Sequence, residues 1–305
     1  MEEIAERPCP LCGSKNSEKI LVEQHINLEA LGEYAFSSRK VPEFMHYRMI
    51  VCSNCDLAYA NPAPKMGWIR EKYIGAAFDA SEESQYAARV YALLLQRILP
   101  ALPDRIRALD IGTGDGAFLL KLLDAGFDEV IGVEPSAEPV RGAPSSIRPF
   151  IEQKFFDGEN YEAGKYCLVT CFQVLEHVDD VNSLAKAVFR MLKPGGIFLT
   201  VAHNFRSFSA RVLGHRSPIF DIEHLQLFSG SSLDYLFKQH GFVKSCIHPT
   251  SNTYPISYWL KLAPINLQWK ERLDKMINAC GFSSISLSLS AGNLMGYSFK
   301  PTEIT

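Results

Sequence analysis

Short apolar runs alternate with segments of helical length between residues 105 and 250. Apolar runs of five to seven residues are typical of strands buried on both faces of a parallel sheet, and the intervening segments predict crossover helices. The predicted strands lie at 106–111, 129–134, 166–172, 197–201, 241–247 and 293–300, and the clearest helices lie at 117–125 and 181–192. The pattern therefore predicts an α/β fold with a doubly wound sheet.

Two further segments interrupt this alternation. Residues 63–104 contain Tyr73 and Tyr86 and predict a helical linker before the first strand. Tyr258 to Ala279, with Trp259 and Trp269, predicts a helical insert between the last two strands. Three interpretations of the insert stay open: a cover over the site, a dimer contact, or a helix that only covers the core.

The composition excludes several classes of protein. The chain has 305 residues, of which 47% are hydrophobic and 21% charged, so neither a disordered nor a collagen-like chain fits. No apolar run reaches the about 18 residues that span a bilayer, and the acidic N-terminus lacks a secretory signal. We therefore expect a cytoplasmic chain without a membrane span, in which thiols stay reduced.

Half of the eight cysteines form two Cys-x-x-Cys pairs, with 39 residues between the pairs. The four are Cys9, Cys12, Cys52 and Cys55. Two such pairs can hold one Zn²⁺ in tetrahedral geometry, so residues 1–62 predict a zinc ribbon whose long spacer folds as extra strands or a hairpin. A redox-active pair, or four ordinary buried thiols, are the alternatives. Cys167 and Cys171 lie in a predicted buried strand and, like Cys246 and Cys280, receive no chemical role.

A glycine-rich loop follows the first predicted strand. Its glycines run Gly112-x-Gly114-x-Gly116, after Asp110, and the next strand ends in Glu134. Glycines allow a ligand to approach the backbone, and an acid at the second strand's tip can accept ribose hydroxyls. A dinucleotide-binding loop has the spacing Gly-x-Gly-x-x-Gly, which differs from the spacing of this loop. In addition, Asp110 would repel a phosphate. The loop therefore favours a nucleoside ligand with an ammonium or sulfonium group.

These motifs resemble those of the class I S-adenosylmethionine-dependent methyltransferases. The resemblance covers about residues 100 to 250 and includes the glycine loop, a Val174-Leu175-Glu176-His177-Val178 segment and a Leu192-Lys193-Pro194-Gly195-Gly196 turn. It implies a seven-stranded Rossmann-like sheet whose last two strands form an antiparallel hairpin. The cofactor-binding residues that it implies are Asp110, Gly112, Thr113, Gly114, Gly116, Glu134, Pro135, Phe172 and Gln173.

The overall layout resembles bacterial enzymes that carry an N-terminal zinc-binding domain and methylate nucleotide-linked sugars or glycans. It implies a zinc ribbon at 1–62, a helical linker or lid at 63–104 and a methyltransferase domain at 105–305 with an insert at about 255–280. Asp56 departs from the pattern, because the second cysteine pair is usually followed by glycine.

Methyl transfer needs alignment and a base for the acceptor's proton, and histidine is the side chain most easily tuned to that task. Two Glu-His pairs follow predicted strands, Glu176-His177 and Glu223-His224. The resemblance assigns Glu223-His224 to the acceptor pocket, so we predict His224 as the base with Glu223 beside it. His177 is the second candidate. Tyr73 and Tyr86 either close over the acceptor or pack as ordinary linker residues.

We expect a small-molecule acceptor: a sugar, a nucleotide-sugar or a glycan or lipid precursor. An RNA methyltransferase that holds RNA with its zinc ribbon is one alternative, and a non-catalytic binding protein on the same fold is the other. Residues 1–62 contain 6 Lys+Arg and 9 Asp+Glu, the opposite of a phosphate-binding surface, so no nucleic acid partner is expected. A homodimer is compatible with the sequence.

Overall fold

The computed structural model describes residues 4–15, 19–27, 42–74, 81–283 and 285–302. Within them lie thirteen strands: β1 Ile4–Ala5, β2 Lys19–Val22, β3 Met49–Val51, β4 Ala58–Ala60, β5 Ala63–Pro64, β6 Arg107–Ile111, β7 Glu129–Val133, β8 Ile151–Glu152, β9 Tyr166–Phe172, β10 Leu192–His203, β11 Gln226–Leu227, β12 Val243–Pro255 and β13 Ser286–Phe299. The described residues also form nine α-helices: α1 Met66–Ile74, α2 Ser81–Ile98, α3 Ala117–Asp124, α4 Ala137–Gly142, α5 Val181–Met191, α6 Phe208–Leu213, α7 Gly230–Gln239, α8 Ile256–Leu262 and α9 Leu267–Ala279.

The large sheet has seven strands in the order β12-β13-β10-β9-β6-β7-β8. Strands β6 to β10 pair in parallel, whereas β13 is antiparallel to both of its neighbours, β10 and β12. The strand order reverses at β6, so the carboxyl ends of β6 and β9 flank a crevice where ligands bind in such sheets. The doubly wound, Rossmann-like sheet and its antiparallel hairpin are confirmed.

Helix α5 illustrates how the sequence directs the packing against this sheet. The side chain of Asp180 caps it by accepting hydrogen bonds from the backbone N–H groups of Asn182 and Ser183. Its buried residues recur three or four positions apart, which gives the helix one apolar face. They are Val181, Leu184, Ala185, Val188 and Met191. This face covers the sheet and fixes where the loop between β9 and α5 leaves it.

The N-terminal region forms a second, four-stranded sheet in the order β11-β4-β3-β2. Strand β2 pairs with β3, in agreement with the extra strands predicted for the spacer between the cysteine pairs. Most of the other residues of this spacer lie outside the described ones. The fourth strand, β11, comes from the large domain: Gln226 pairs with Tyr59, and Leu227 pairs with Ala58. The two regions therefore share a sheet.

The two regions also share a hydrophobic core, in which Leu57 and Tyr59 lie in one cluster with Phe228 and Phe237. Asn182 strengthens the junction, because its side-chain N–H groups donate to the carbonyls of Pro10 and Leu11 at 2.8 and 3.0 Å. No helix in the described part of the chain is both long and apolar enough to cross a bilayer.

Candidate active site

A cavity of about 1100 Å³ opens at the carboxyl ends of the parallel strands. The loop after β6, the tip of β7 and the end of β9 form one wall, and helices α1 and α2 form part of another. Eight of the nine residues predicted to bind the cofactor line it: Asp110, Gly112, Thr113, Gly114, Glu134, Pro135, Phe172 and Gln173. The ninth, Gly116, lies behind the loop at the start of α3.

The backbone of the loop requires its glycines. Gly112 and Gly116 both have φ of +74°, in the left-handed region that residues with a Cβ rarely adopt. A Cβ on Gly112 would lie 2.2 Å from Cγ2 of Val174, and one on Gly116 would lie 2.5 Å from Cγ2 of Ile147. The loop therefore passes close to its neighbours and leaves its inner surface to the cavity.

Glu134 and Asp110 are the acids of this wall. Glu134 is buried and accepts hydrogen bonds from the backbone N–H groups of Gly114 and Ser136, at 3.0 and 2.8 Å. Asp110 accepts one from the Thr170 hydroxyl at 2.6 Å, and burial raises the pKa of Asp110 to about 6. A cationic group bound in the cavity would stabilise the ionised form of Asp110, so the pair fits a ligand with hydroxyls and an ammonium group.

Helix α2 contributes residues that the sequence analysis did not identify. Ser84, Ala88 and Tyr91 line the cavity from positions that share one helical face. The Ser84 hydroxyl donates to Asp115 at 2.6 Å, and the ring of Tyr91 stacks on Phe172 with 4.1 Å between centroids. The i, i+4, i+7 spacing of Ser84, Ala88 and Tyr91 could have shown from the sequence that they share one face of a helix. Tyr86 does not share this face and packs near Tyr254.

Four polar side chains from distant parts of the chain meet at one side of the cavity. The Tyr73 hydroxyl donates to Oε2 of Glu223 at 3.0 Å. Nδ1 of His177 lies 2.5 Å from the same hydroxyl oxygen and 3.2 Å from the carbonyl of Glu223. Because the one Tyr73 proton goes to Glu223, the His177 Nδ1–H donates to Tyr73. Burial raises the pKa of Tyr73 well above its usual value, which keeps this donor protonated.

His224 lies next to this group, with 4.8 Å between its ring centroid and that of His177. Its Nδ1 donates to the carbonyl of Ile219 at 2.7 Å, which assigns the lone pair to Nε2. The two predicted Glu-His pairs therefore contribute to one cluster. One ligand atom each from His177, Glu223 and His224 lies within 4.8 Å of the others, so these side chains could also hold a divalent cation.

A third histidine lines the cavity beside His224, although the sequence analysis did not identify it. The ring centroids of His203 and His224 are 4.9 Å apart. Nδ1 of His203 donates to Oδ1 of Asn293 at 3.0 Å, and burial lowers the pKa of His203 to about 4, so this ring is neutral. Its position at the carboxyl end of β10 could have indicated from the sequence that His203 lies near the ligand-binding crevice.

Glu176 belongs to the first predicted Glu-His pair, yet its side chain lies away from His177. It is fully buried, and one carboxylate oxygen accepts the backbone N–H of His203. The other oxygen, Oε2, has no hydrogen-bond partner among the described residues. Burial raises the pKa of Glu176 to about 7. Glu176 therefore supports the strand that carries His203.

The two Cys-x-x-Cys pairs come together in the N-terminal region. The Sγ atoms of Cys9 and Cys55 are 3.5 Å apart, those of Cys12 and Cys52 are 3.4 Å apart, and all four lie within 4.8 Å of one another. Four sulfurs around a tetrahedral Zn²⁺ lie about 3.8 Å apart, since each Zn–S bond is about 2.3 Å. The cluster therefore has the composition and spacing of a structural zinc site.

Asp56, which replaces the usual glycine after the second pair, takes the glycine conformation with φ of +58°. Its carboxylate accepts two hydrogen bonds from the Arg206 guanidinium, one of them at 3.2 Å. Of the remaining cysteines, Cys167 and Cys171 are completely buried in β9, and burial raises the pKa of Cys167 to about 11, in agreement with a packing role.

Comparisons with known proteins place this geometry in a family. Residues 83–246 match the model of a family described as a methyltransferase domain. A ubiquinone biosynthesis O-methyltransferase of Bordetella avium is 32% identical over 130 residues, which are 39% of this chain and 52% of that protein. That of Erwinia tasmaniensis is 31% identical over 116 residues, 35% of this chain and 47% of that protein. The chain spans about half the length of these curated relatives.

A Thermotoga maritima structure described as a methyltransferase dependent on S-adenosylmethionine, possibly a histamine N-methyltransferase, has a TM-score of 0.48 and 21% identity. The match covers 77% of this chain and all of that chain. The glycine loop, the acid at the tip of β7 and the matched family model define the class of this protein as a methyltransferase. The chain belongs to the methyltransferase-domain family.

Proposed function

We propose that this enzyme transfers the methyl group of S-adenosylmethionine to a hydroxyl of a small-molecule acceptor. The acceptor is a sugar, a nucleotide-sugar or a glycan or lipid precursor. The observation that carries the proposal is the meeting of Tyr73, His177, Glu223 and His224 on the cavity that also contains the glycine loop. The relatives are named for O-methylation in ubiquinone biosynthesis, which supports a hydroxyl as the acceptor group but not a sugar.

The loop and the two acids hold the methyl donor. When bound, S-adenosylmethionine supplies an electrophilic methyl carbon on its sulfonium. Glu134 would accept hydrogen bonds from the ribose hydroxyls, and Asp110 would pair with the ammonium group of the methionine part. The backbone from Gly112 to Gly114 makes the close approach that glycine allows, and Phe172, Gln173 and Pro135 complete the pocket. Gly116 supports the loop from behind, where Ile147 leaves no room for a side chain.

His224 is the general base. Its Nδ1–H is committed to the Ile219 carbonyl, so the lone pair on Nε2 takes the proton from the acceptor hydroxyl as the methyl group is transferred. Glu223 orients the acceptor side of the site through Tyr73, whose hydroxyl donates to the Glu223 carboxylate. His177 is the alternative base, with its own Nδ1–H donated to Tyr73.

The four cysteines hold a structural Zn²⁺ that stabilises the N-terminal region. This region, at 1–62, precedes a helical linker at 63–104 and the catalytic domain at 105–305. Tyr73 of the linker reaches the catalytic cluster, and Ser136 binds its backbone, since the Ser136 hydroxyl donates to the Tyr73 carbonyl at 3.0 Å. We assign the zinc site no part in methyl transfer.

Radiolabelled S-adenosylmethionine tests the proposal with a panel of hydroxylated sugars, nucleotide-sugars and lipid-linked precursors. With an accepted compound, His224→Gln should lower kcat by about 100-fold or more. Affinity for S-adenosylmethionine, measured by calorimetry, should stay unchanged. His248→Gln is the matched control, because His248 is exposed on β12 and does not line the cavity. Wild-type turnover by His224→Gln would transfer the role to His177.

Metal analysis tests the zinc assignment separately. Protein purified without chelator should contain one zinc per chain, and Cys9→Ser should lose most of it. Cys280→Ser is the control, because Cys280 is exposed and distant in sequence from both pairs. Zinc content that Cys9→Ser leaves unchanged would refute the assignment.

A further inference from the structure

The charge of the cavity restricts which acceptors it can bind. Arg70 is the one Lys or Arg among the described residues of the lining. The lining acids number eight: Asp110, Asp115, Glu134, Asp157, Asp179, Asp180, Asp221 and Glu223. A nucleoside diphosphate group carries at least two negative charges and is usually held by several cations or by N–H groups. The described part of the lining therefore favours an acceptor without a phosphate.

The mouth of the cavity is apolar on the side of the insert. Trp259 and Leu262 of α8 line it, together with Leu289 near the start of β13. The Trp259 indole is fixed by a hydrogen bond to the Leu287 carbonyl at 3.0 Å. Alternation along a strand directs Leu287 and Leu289 to the same face, so the apolar lining continues outward along β13.

This apolar lining reaches the surface. Leu287 and Leu289 are 39% and 43% exposed, and Ile265, just after α8, is 39% exposed. Leu289 belongs both to the cavity lining and to the exposed face, which makes the two continuous. Polar groups gather at the inner end of the cavity, at Tyr73 and Glu223. The space is therefore polar at one end and apolar at its mouth, which matches an amphiphilic molecule.

We propose that the acceptor is an uncharged hydroxyl compound with an apolar tail, and that the tail lies along the mouth formed by α8 and the first residues of β13. This inference rests on the proposed function and selects, among its acceptors, the lipid-like and neutral ones over the nucleotide-sugars. The hydroxyl head reaches the Tyr73–Glu223 end, and the tail leaves over Leu289 toward Leu287 and Ile265.

Calorimetry on the protein saturated with S-adenosylhomocysteine tests the tail independently of turnover. The probes are glucose, alkyl glucosides of two to eight carbons, the matching 4-alkylcatechols and UDP-glucose. Each methylene that is fully buried should tighten binding by about three- to fourfold. UDP-glucose should bind no tighter than glucose. Affinity that does not rise with chain length in either series, or UDP-glucose as the tightest ligand, would overturn the proposal.

Two exposed positions on the same hairpin give a matched pair of variants. Leu289→Gln should reduce the gain in affinity per methylene, whereas Val243→Gln, 39% exposed at the far end of β12, should leave it unchanged. Both variants should bind glucose or catechol as the wild type does. Equal slopes in the two variants would place the tail elsewhere and overturn the proposal. Failure of the proposed function shows separately, as absence of labelled transfer to any acceptor.

Discussion

The buried Glu176 makes the stability of the enzyme fall as the pH rises. Burial raises the pKa of Glu176 to about 7 in the folded protein, against an ordinary value of 4.5. Between these two values the folded chain keeps a proton that the unfolded chain has lost, so the free energy of unfolding decreases with increasing pH. A difference of about 2.5 in the pKa of Glu176 corresponds to about 3 kcal/mol in the free energy of unfolding. This stabilisation is fully lost above pH 7.

Glu176→Gln removes this titration and keeps an oxygen that can accept the His203 N–H. Urea unfolding at pH 5 and pH 8 measures the effect. Between the two pH values, the free energy of unfolding of the wild type should fall by about 2.5 kcal/mol more than that of the variant. Asp110, whose pKa burial raises to about 6, changes stability in the same direction in both proteins and cancels from the comparison.

Glu162→Gln is the control, because the Glu162 side chain is 68% exposed, and it should follow the wild-type pH dependence. Curves for wild type and Glu176→Gln that run parallel from pH 5 to pH 8 would refute the reasoning. That result would mean that the Glu176 carboxylate is solvated or paired in solution.

Three further changes test the contacts around the site. Tyr73→Phe removes the donor to Glu223 and should lower kcat by about 10- to 100-fold with calorimetric affinity for S-adenosylmethionine unchanged; an unaltered kcat would contradict a role for the hydroxyl. Asn182→Ala removes both hydrogen bonds to the first cysteine pair and should lower the free energy of unfolding by about 1–3 kcal/mol in urea titration, against no change for the exposed control Asn278→Ala. Adding Mg²⁺ to protein in chelated buffer should change turnover less than twofold, because the proposed base is His224 and needs no metal; a strict requirement would instead identify His177, Glu223 and His224 as metal ligands.

Much of the large domain could be predicted from periodicity. The strand predicted at 166–172 is β9 to the residue, and the helix predicted at 181–192 differs from α5 by one residue. Strand β9 is buried in the middle of the sheet, where both faces require apolar residues, and α5 packs one apolar face against that sheet. The glycine loop was equally predictable, because Gly112 and Gly116 occupy conformations that other residues avoid.

The final hairpin is longer than the sequence indicated. The predicted strands 241–247 and 293–300 correspond to β12, Val243–Pro255, and β13, Ser286–Phe299. The residues that lengthen β12 and β13 pair with each other and form a two-stranded extension of the sheet. Much of this extension is exposed, and polar residues such as Ser288 alternate with apolar ones. Such two-stranded extensions depend on cross-strand pairing, which one strand's composition does not reveal.

The cluster of Tyr73, His177, Glu223 and His224 was predicted in part. His177, Glu223 and His224 were identified from their positions after strands, but their meeting with Tyr73 was only one of two interpretations. Tyr73 lies 104 positions from His177 and 150 from Glu223, so the contact depends on how the linker returns to the sheet. His203 was missed because it has no neighbouring acid in the sequence; its partner, Asn293, is 90 positions away.

Strand β11 completes the N-terminal sheet, so this sheet can be completed only after Gln226 and Leu227 have been synthesised. Arg7 donates to the Leu225 carbonyl at 2.8 Å, although the two residues are 218 positions apart. At about 5–20 residues per second, a ribosome adds this length in roughly 10 to 40 s. During that time the four cysteines have emerged, while the strand that completes their sheet does not yet exist. Truncation before β11 therefore leaves the edge of β4 unpaired.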